Sequence, residues 1–216
     1  MKSKIALVLG ATGLVGKELI ELLTTDSWYH SIIIINRRKV GYSHPKIQER
    51  VIDFDFIDSE IKQISATDVF CCIGTTIKKA GSKEAFRKVD FDIPVAFGKI
   101  AEKSGVKSYT VVSSMGANSA SSNFYSSVKG EMENQLLHLL IPNLTIVRPS
   151  LLLGDRDEKR FGEDIAKGIF SIIGFLMIGP LKKYKPISAK QVAKAMLYYA
   201  SHPKEKIQEN QYLHSI

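Results

Sequence analysis

The stretch KIALVLGATGLVGKELIELLT, residues 4–24, sets an apolar strand pattern, a glycine-rich turn and a helical pattern in immediate succession. Lys4 to Leu9 reads as a strand, and its apolar run from Ile5 to Leu9 suits one covered on both faces. From Leu14 to Thr24 the apolar residues recur at helical spacing. Between them lies Gly10-Ala11-Thr12-Gly13-Leu14-Val15-Gly16. A turn that ends a strand and opens a helix exposes backbone N–H groups at the positive end of the helix dipole, where a pyrophosphate is attracted. Each glycine then has a use: Gly10 for the tight turn, Gly13 for approach of the backbone to phosphate, Gly16 for close packing of helix on strand. The spacing is G-x-x-G-x-x-G rather than the commoner G-x-G-x-x-G, so the strand-turn-helix context carries the argument, not the pattern alone.

Outward from this unit the chain alternates β-branched runs with helical patterns, the signature of repeated βαβ units and a parallel sheet. Strands are expected at Ser31 to Ile35, Val51-Ile52, Asp68 to Cys72, Ser108 to Ser113 and Leu144 to Val147, and helices near Ser59 to Ile64, Ser82 to Lys103, Ser122 to Leu140 and Ser188 to Ser201. The expected fold class is α/β: a doubly wound parallel sheet, or Rossmann fold, with a small C-terminal substrate region in the same domain. The 216 residues, 44% of them hydrophobic, suit one such domain, residues 1–216. No repeat or linker interrupts it.

A formal charge of +8, from 30 Lys+Arg against 22 Asp+Glu, favours anionic partners without choosing among them. A groove-reading element or basic helix is absent from the pattern, so nucleic acid is not an expected partner. The two cysteines, Cys71 and Cys72, are adjacent and poorly placed for a mutual disulfide; buried strand residues explain them better than redox chemistry does. With no secretory signal after MKSKIALVLG, the expectation is a reduced, cytoplasmic protein. The apolar stretch from Gly168 to Leu181 falls short of the ~20 residues needed to cross a bilayer, so no integral membrane segment is expected. A buried or interface helix is expected there, serving as a lid over the nicotinamide, a homodimer contact or both, with contact to a membrane surface as the minority alternative. The five histidines lack ligand spacing, so no metal site is expected.

Enzymes that bind NAD place a carboxylate about twenty residues after the glycines to accept a bond from the ribose 2′-hydroxyl. Here that place holds Asn36-Arg37-Arg38. A guanidinium offers no acceptor to a hydroxyl but pairs well with phosphate, so Arg37 and Arg38 point to the 2′-phosphate of NADP(H). Asp53-Phe54 follows the third strand, where a carboxylate could hold the adenine amino group. Tyr125-Ser126-Ser127-Val128-Lys129 sets a phenol and an ammonium four residues apart on one helical face. A fixed cation beside a phenol favours the phenolate, which equips such a pair to move a proton during hydride transfer. Lys129 could also bond the nicotinamide ribose. Ser113 or Ser114, where the fifth strand reaches the ligand-binding edge of the sheet, could polarise a carbonyl.

In order, the segments GATGLVG, NRR, DVFCCIGTT, VSSMGA, YSSVK and VRPSLLLGDR resemble the atypical short-chain dehydrogenase/reductases, and within them the branch containing the Tat-interacting-protein oxidoreductase. The resemblance covers almost the whole chain. It implies a Rossmann fold, NADPH as cofactor, Tyr125 and Lys129 as catalytic pair, and cofactor contacts from Thr12, Gly13, Leu14, Val15, Arg37 and Arg38. It further implies contacts from Ile73-Gly74 after the fourth strand and from Leu152 and Arg160 after the sixth. One departure stands out: where many short-chain dehydrogenases carry a relay asparagine, this chain reads Val89-Asp90-Phe91. The expected function is NADPH-dependent reduction of a small-molecule carbonyl substrate by a Ser/Tyr/Lys relay. The alternatives are a non-catalytic NADPH-binding redox sensor or regulatory interaction protein and, last, a sugar-nucleotide epimerase or dehydratase, which normally needs a larger C-terminal lobe.

Overall fold

The computed structural model describes residues 3–153 and 183–216. Its main sheet has seven strands: β1 (Lys4–Leu9), β2 (Tyr29–Asn36), β3 (Ile47–Val51), β4 (Asp68–Cys71), β5 (Ser108–Val112), β6 (Asn143–Arg148) and β9 (Ile207–Glu209). They lie in the order β3-β2-β1-β4-β5-β6-β9, every pair parallel. The short strands β7 (Leu152–Leu153) and β8 (Ile187–Ser188) pair separately, also in parallel. The order reverses between β1 and β4, and that switch point is where open α/β sheets bind ligands, beyond the carboxyl ends of the strands.

Alternation along the strands feeds two cores. Leu7, Leu9, Val69, Cys71, Tyr109 and Val111 face one side, packed by α5 (Ile93–Lys103) and α6 (Phe124–Leu137). Ala6, Val8, Ile32, Ile34 and Phe70 face the other, packed by α1 (Leu14–Thr25) and α7 (Ala189–Ser201). This is the doubly wound arrangement expected from the apolar runs. Burying each large aliphatic side chain contributes about 1.5–3 kcal/mol, so the two faces together hold the sheet rigid beneath its ligand-binding edge.

Three expectations shift. The third strand begins earlier than Val51-Ile52: it is the half-exposed Ile47–Val51, whose polar residues hid an edge strand paired with β2 on one side only. The strand β9 was not expected at all, being three residues long. The single helix expected from Ser82 to Lys103 is divided into α4 (Lys83–Arg87), a π-helical turn (Lys88–Asp92) and α5. Pro94 supplies the reason, since a proline has no N–H to donate and its ring crowds the carbonyl four residues back, here that of Asp90. Two single-turn helices, α2 (Ile57–Glu60) and α3 (Ile77–Ala80), and a terminal α8 (Asn210–Leu213) complete the described elements. No described helix is long and apolar enough to cross a membrane. Arg160 and the stretch from Gly168 to Leu181 lie outside the described residues.

Candidate functional site

The glycine turn abuts the end of β4. Gly10 has φ +76°, and a Cβ there would stand 2.7 Å from the Cys72 carbonyl carbon and oxygen. Only glycine fits, for both conformation and space. A Cβ on Gly16 would lie 2.1 Å from the Gly10 carbonyl oxygen, so its close approach is to the turn itself rather than to a strand. The helix that follows is open to an anion. Its N-cap is Gly13, with no side-chain cap and no acidic residue in the first turn. By contrast Asn123 caps α6 by accepting from Ser126 N–H, and Ser188 caps α7 by accepting from Gln191 N–H. The uncapped N–H groups of Leu14 and Val15, beside Thr12, fit a dinucleotide pyrophosphate.

At the end of β2, Arg37 and Arg38 are exposed, and among the described residues neither has an ion-pair partner. Arg37 shares a cleft of about 440 Å³ with Val51, Ile52, Asp53 and Glu60. The cleft thus joins the basic strand end to the carboxylate expected near adenine. Phe54 differs: its ring is buried against Phe97, centroids 6.1 Å apart, and it does not line the cleft. A larger hollow of about 520 Å³ between α2 and α5 contains none of the expected site residues.

The chemistry-bearing side chains gather past the ends of β4 and β5. Lys129, buried on α6, places Nζ 2.7 Å from Oδ1 of Asp90, which the π turn delivers fully buried. This is a charge contact without hydrogen-bond alignment. The other carboxylate oxygen, Oδ2, accepts the Thr75 N–H at 2.9 Å. Burial alone presses the ammonium toward neutrality, but Asp90 and then Tyr125 outweigh it and leave Lys129 above the ordinary lysine range. Gly74 covers the pair: a Cβ there would lie 3.4 Å from Asp90 Oδ1 and 3.8 Å from Lys129 Nζ. Ile73-Gly74 therefore joins the glycine turn to the Lys129 pair. Half-buried Tyr125 packs its ring against Phe86, centroids 5.5 Å apart. Among the described residues, the hydroxyls of Ser113 and Ser114 are buried without a hydrogen-bond partner. Such orphans normally cost free energy, and at a ligand-binding edge they are groups waiting for one.

Leu152 sits in β7, paired with Ile187 and packed on the α1 side of the sheet. The sequence marked Asp90 only as a departure from a pattern; its pairing with Lys129 crosses from one helix to another and leaves no local signal. Cys71 is buried and Cys72 half-buried, and burial pushes both thiols up, away from thiolate chemistry. Among the described residues no cluster could hold a metal.

Residues 5–92 match the family described as semialdehyde dehydrogenase, NAD binding domain. The chain is 35% identical over 174 residues to Protein HTATIP2 of Rattus norvegicus, covering 79% of this chain and 72% of that one. It is 33% identical over 204 residues to Protein FMP52, mitochondrial, of Debaryomyces hansenii, covering 92% and 88%. Among solved structures, human epimerase family protein SDR39U1 with NADPH superposes with a TM-score of 0.63 at 15% identity, covering 91% of this chain and 70% of that one, a likeness of fold. These relatives correct one expectation. Six FMP52 proteins are named as mitochondrial, which points away from the cytoplasm. Free cysteines constrain the redox environment, not the choice between reducing compartments. By sequence similarity over most of both chains, and with an NAD(P)-binding Rossmann fold beneath it, the chain belongs to the HTATIP2 and FMP52 branch of the atypical short-chain dehydrogenase/reductases.

Proposed function

We propose that the chain is an NADPH-dependent oxidoreductase that reduces a small carbonyl compound. The observation that carries this reading is the meeting, at one edge of the sheet, of half-buried Tyr125, the Lys129–Asp90 pair and the partnerless hydroxyls of Ser113 and Ser114. NADPH, when bound, supplies the hydride. The open N-terminus of α1 would hold its pyrophosphate, Asp53 its adenine, and Arg37 with Arg38 its 2′-phosphate. Ile73-Gly74 and Leu152 would flank it, with Arg160 a further contact by family resemblance.

The remaining work belongs to this chain's side chains. The Ser113 or Ser114 hydroxyl donates to the substrate carbonyl oxygen, which orients it and draws electron density away from the carbon. Tyr125 delivers the proton to that oxygen from its phenol. Lys129, held charged by Asp90, favours the phenolate left behind and so lowers the cost of the transfer.

The test is a fluorescence titration with NADPH and NADH of the wild type and of Arg37→Ala/Arg38→Ala, followed by a carbonyl panel with the wild type and Tyr125→Phe. Preference for NADPH that collapses in the double variant, with turnover abolished in Tyr125→Phe while NADPH still binds, is expected. Equal binding of the two dinucleotides defeats the cofactor assignment, and full turnover by Tyr125→Phe defeats the tyrosine's role. Tight NADPH binding with no turnover of any carbonyl, joined to capture of a protein partner that depends on the NADPH/NADP ratio, replaces the reductase with a sensor.

A further inference from the structure

The loop that carries Arg37 and Arg38 is held by a residue outside the expected site. Glu49 lies on β3, opposite Ile34 of β2. Its Oε1 accepts the Val40 N–H at 2.6 Å and the Asn36 Nδ2 amide at 3.0 Å, and its Oε2 accepts the Gly41 N–H at 2.9 Å. Two consecutive backbone N–H groups thus converge on one carboxylate. Gly41, at φ +81°, adopts the left-handed conformation within this loop, which side chains other than glycine disfavour. The same loop is fastened at a second point, where the Tyr42 hydroxyl donates to the Ala11 carbonyl in the glycine turn at 3.0 Å. Arg37 and Arg38 stand between Asn36 and Val40, within the clipped segment.

We infer that Glu49 is a positioning residue for cofactor specificity: by clamping Asn36, Val40 and Gly41 it presents the two guanidiniums in the arrangement that grips a 2′-phosphate. This rests on the proposed NADPH reading. A guanidinium gains affinity from a planar, two-point grip, and a long side chain on an untethered loop loses that gain to conformational freedom. Glu49 itself does not take the part of an NAD-type carboxylate, because its oxygens are engaged by three loop donors. Burial opposes its charge only weakly, and the Gly41 and Val40 N–H groups hold its carboxyl below the ordinary range, so it clamps as the anion at neutral pH.

The inference separates affinity for the 2′-phosphate from affinity for the rest of the dinucleotide. The experiment titrates wild type, Glu49→Gln and Gly41→Ala with NADPH, NADH and adenosine 2′,5′-bisphosphate, with circular dichroism of each variant to establish folding. The expected result is that both variants lose about tenfold in affinity for NADPH and for the bisphosphate, the size of one charge-assisted contact, while NADH is unchanged. Parallel weakening of NADPH and NADH, or no weakening of either in folded variants, overturns the role of Glu49 with the cofactor reading intact. A wild type without preference for NADPH overturns that reading and this inference together. Gly41→Ala loosens the clamp from the backbone side, so it decides the matter even if Glu49→Gln does not fold.

Discussion

Ser108 and Ser113 stand at opposite ends of β5, both buried, and they are treated in opposite ways. At the amino end, Ser108 Oγ donates to Asp68 Oδ1 at 2.7 Å, Tyr29 Oη donates to Asp68 Oδ2 at 2.6 Å, and Lys4 Nζ lies 3.1 Å from the same oxygen. Just past the carboxyl end, the Ser113 and Ser114 hydroxyls have no hydrogen-bond partner among the described residues. The first residues of four adjacent strands are thus locked together by one carboxylate, while two serine hydroxyls at the opposite edge stay unspent. Polar groups that are fully satisfied hold the fold; polar groups left open mark where a ligand completes them. Thr110 Oγ1, in the middle of β5, is also unpartnered, and nothing in the structure explains it.

The comparison breaks most visibly at Asp68. Replacing it with alanine strands Tyr29 and Ser108 and leaves Lys4 without its partner, which should cost about 3–5 kcal/mol in a urea unfolding titration. A loss below about 1 kcal/mol would show that the amino edge is not the lock described here.

At the other edge the buried Lys129–Asp90 pair gives the next largest effect. Asp90→Asn should lower stability by about 2–3 kcal/mol at neutral pH, because Lys129 stays buried with its charge uncompensated. The pH dependence follows from Lys129. A lysine whose folded pKa lies above its ordinary 10.5 stabilises the fold below that value and loses the contribution as pH rises through the folded pKa. The gap between wild type and Asp90→Asn, read from unfolding midpoints, should therefore be widest at neutral pH and shrink above pH 10.5. A gap that persists undiminished there assigns the loss to packing instead.

The sharpest form of the comparison uses one residue type on one strand. Ser108→Ala should lose about 1–2 kcal/mol, whereas Ser113→Ala, which removes an unmade bond, should stay within about 0.5 kcal/mol of wild type in the same titration. Equal losses at the two ends would erase the distinction.

How much of this was legible in the sequence follows the range of the interactions involved. β1, β2 and β4 to β6 announce themselves as apolar runs, because both their faces are covered. The glycine turn is legible for a similar reason, since its requirements are met within seven residues. The edge strand β3 mixes Gln48, Glu49 and Arg50 with its apolar residues, so half of it reads as loop. Tyr125 and Lys129 could be paired from helical spacing alone. Asp90 and Glu49 could not, because each acts on groups brought near by the tertiary fold: Lys129 on another helix, and the loop that turns back from β2. Residues expected to touch the ligand were easier to read than residues proposed to aim them.

The π turn at Lys88–Asp92 also works as a phase shifter in the chain. An α-helix advances by about 100° per residue, so the extra residue accommodated there resets the angular position of everything before it relative to everything after. Upstream, Phe86 meets the Tyr125 ring; downstream, Phe97 and Ile100 meet the core beneath the sheet. Removing a single residue from this turn would return the segment to regular pitch and force a choice between those two appointments. A one-residue deletion at this point would therefore be a mechanical change: it would swing the carboxylate at position 90 away from its ammonium.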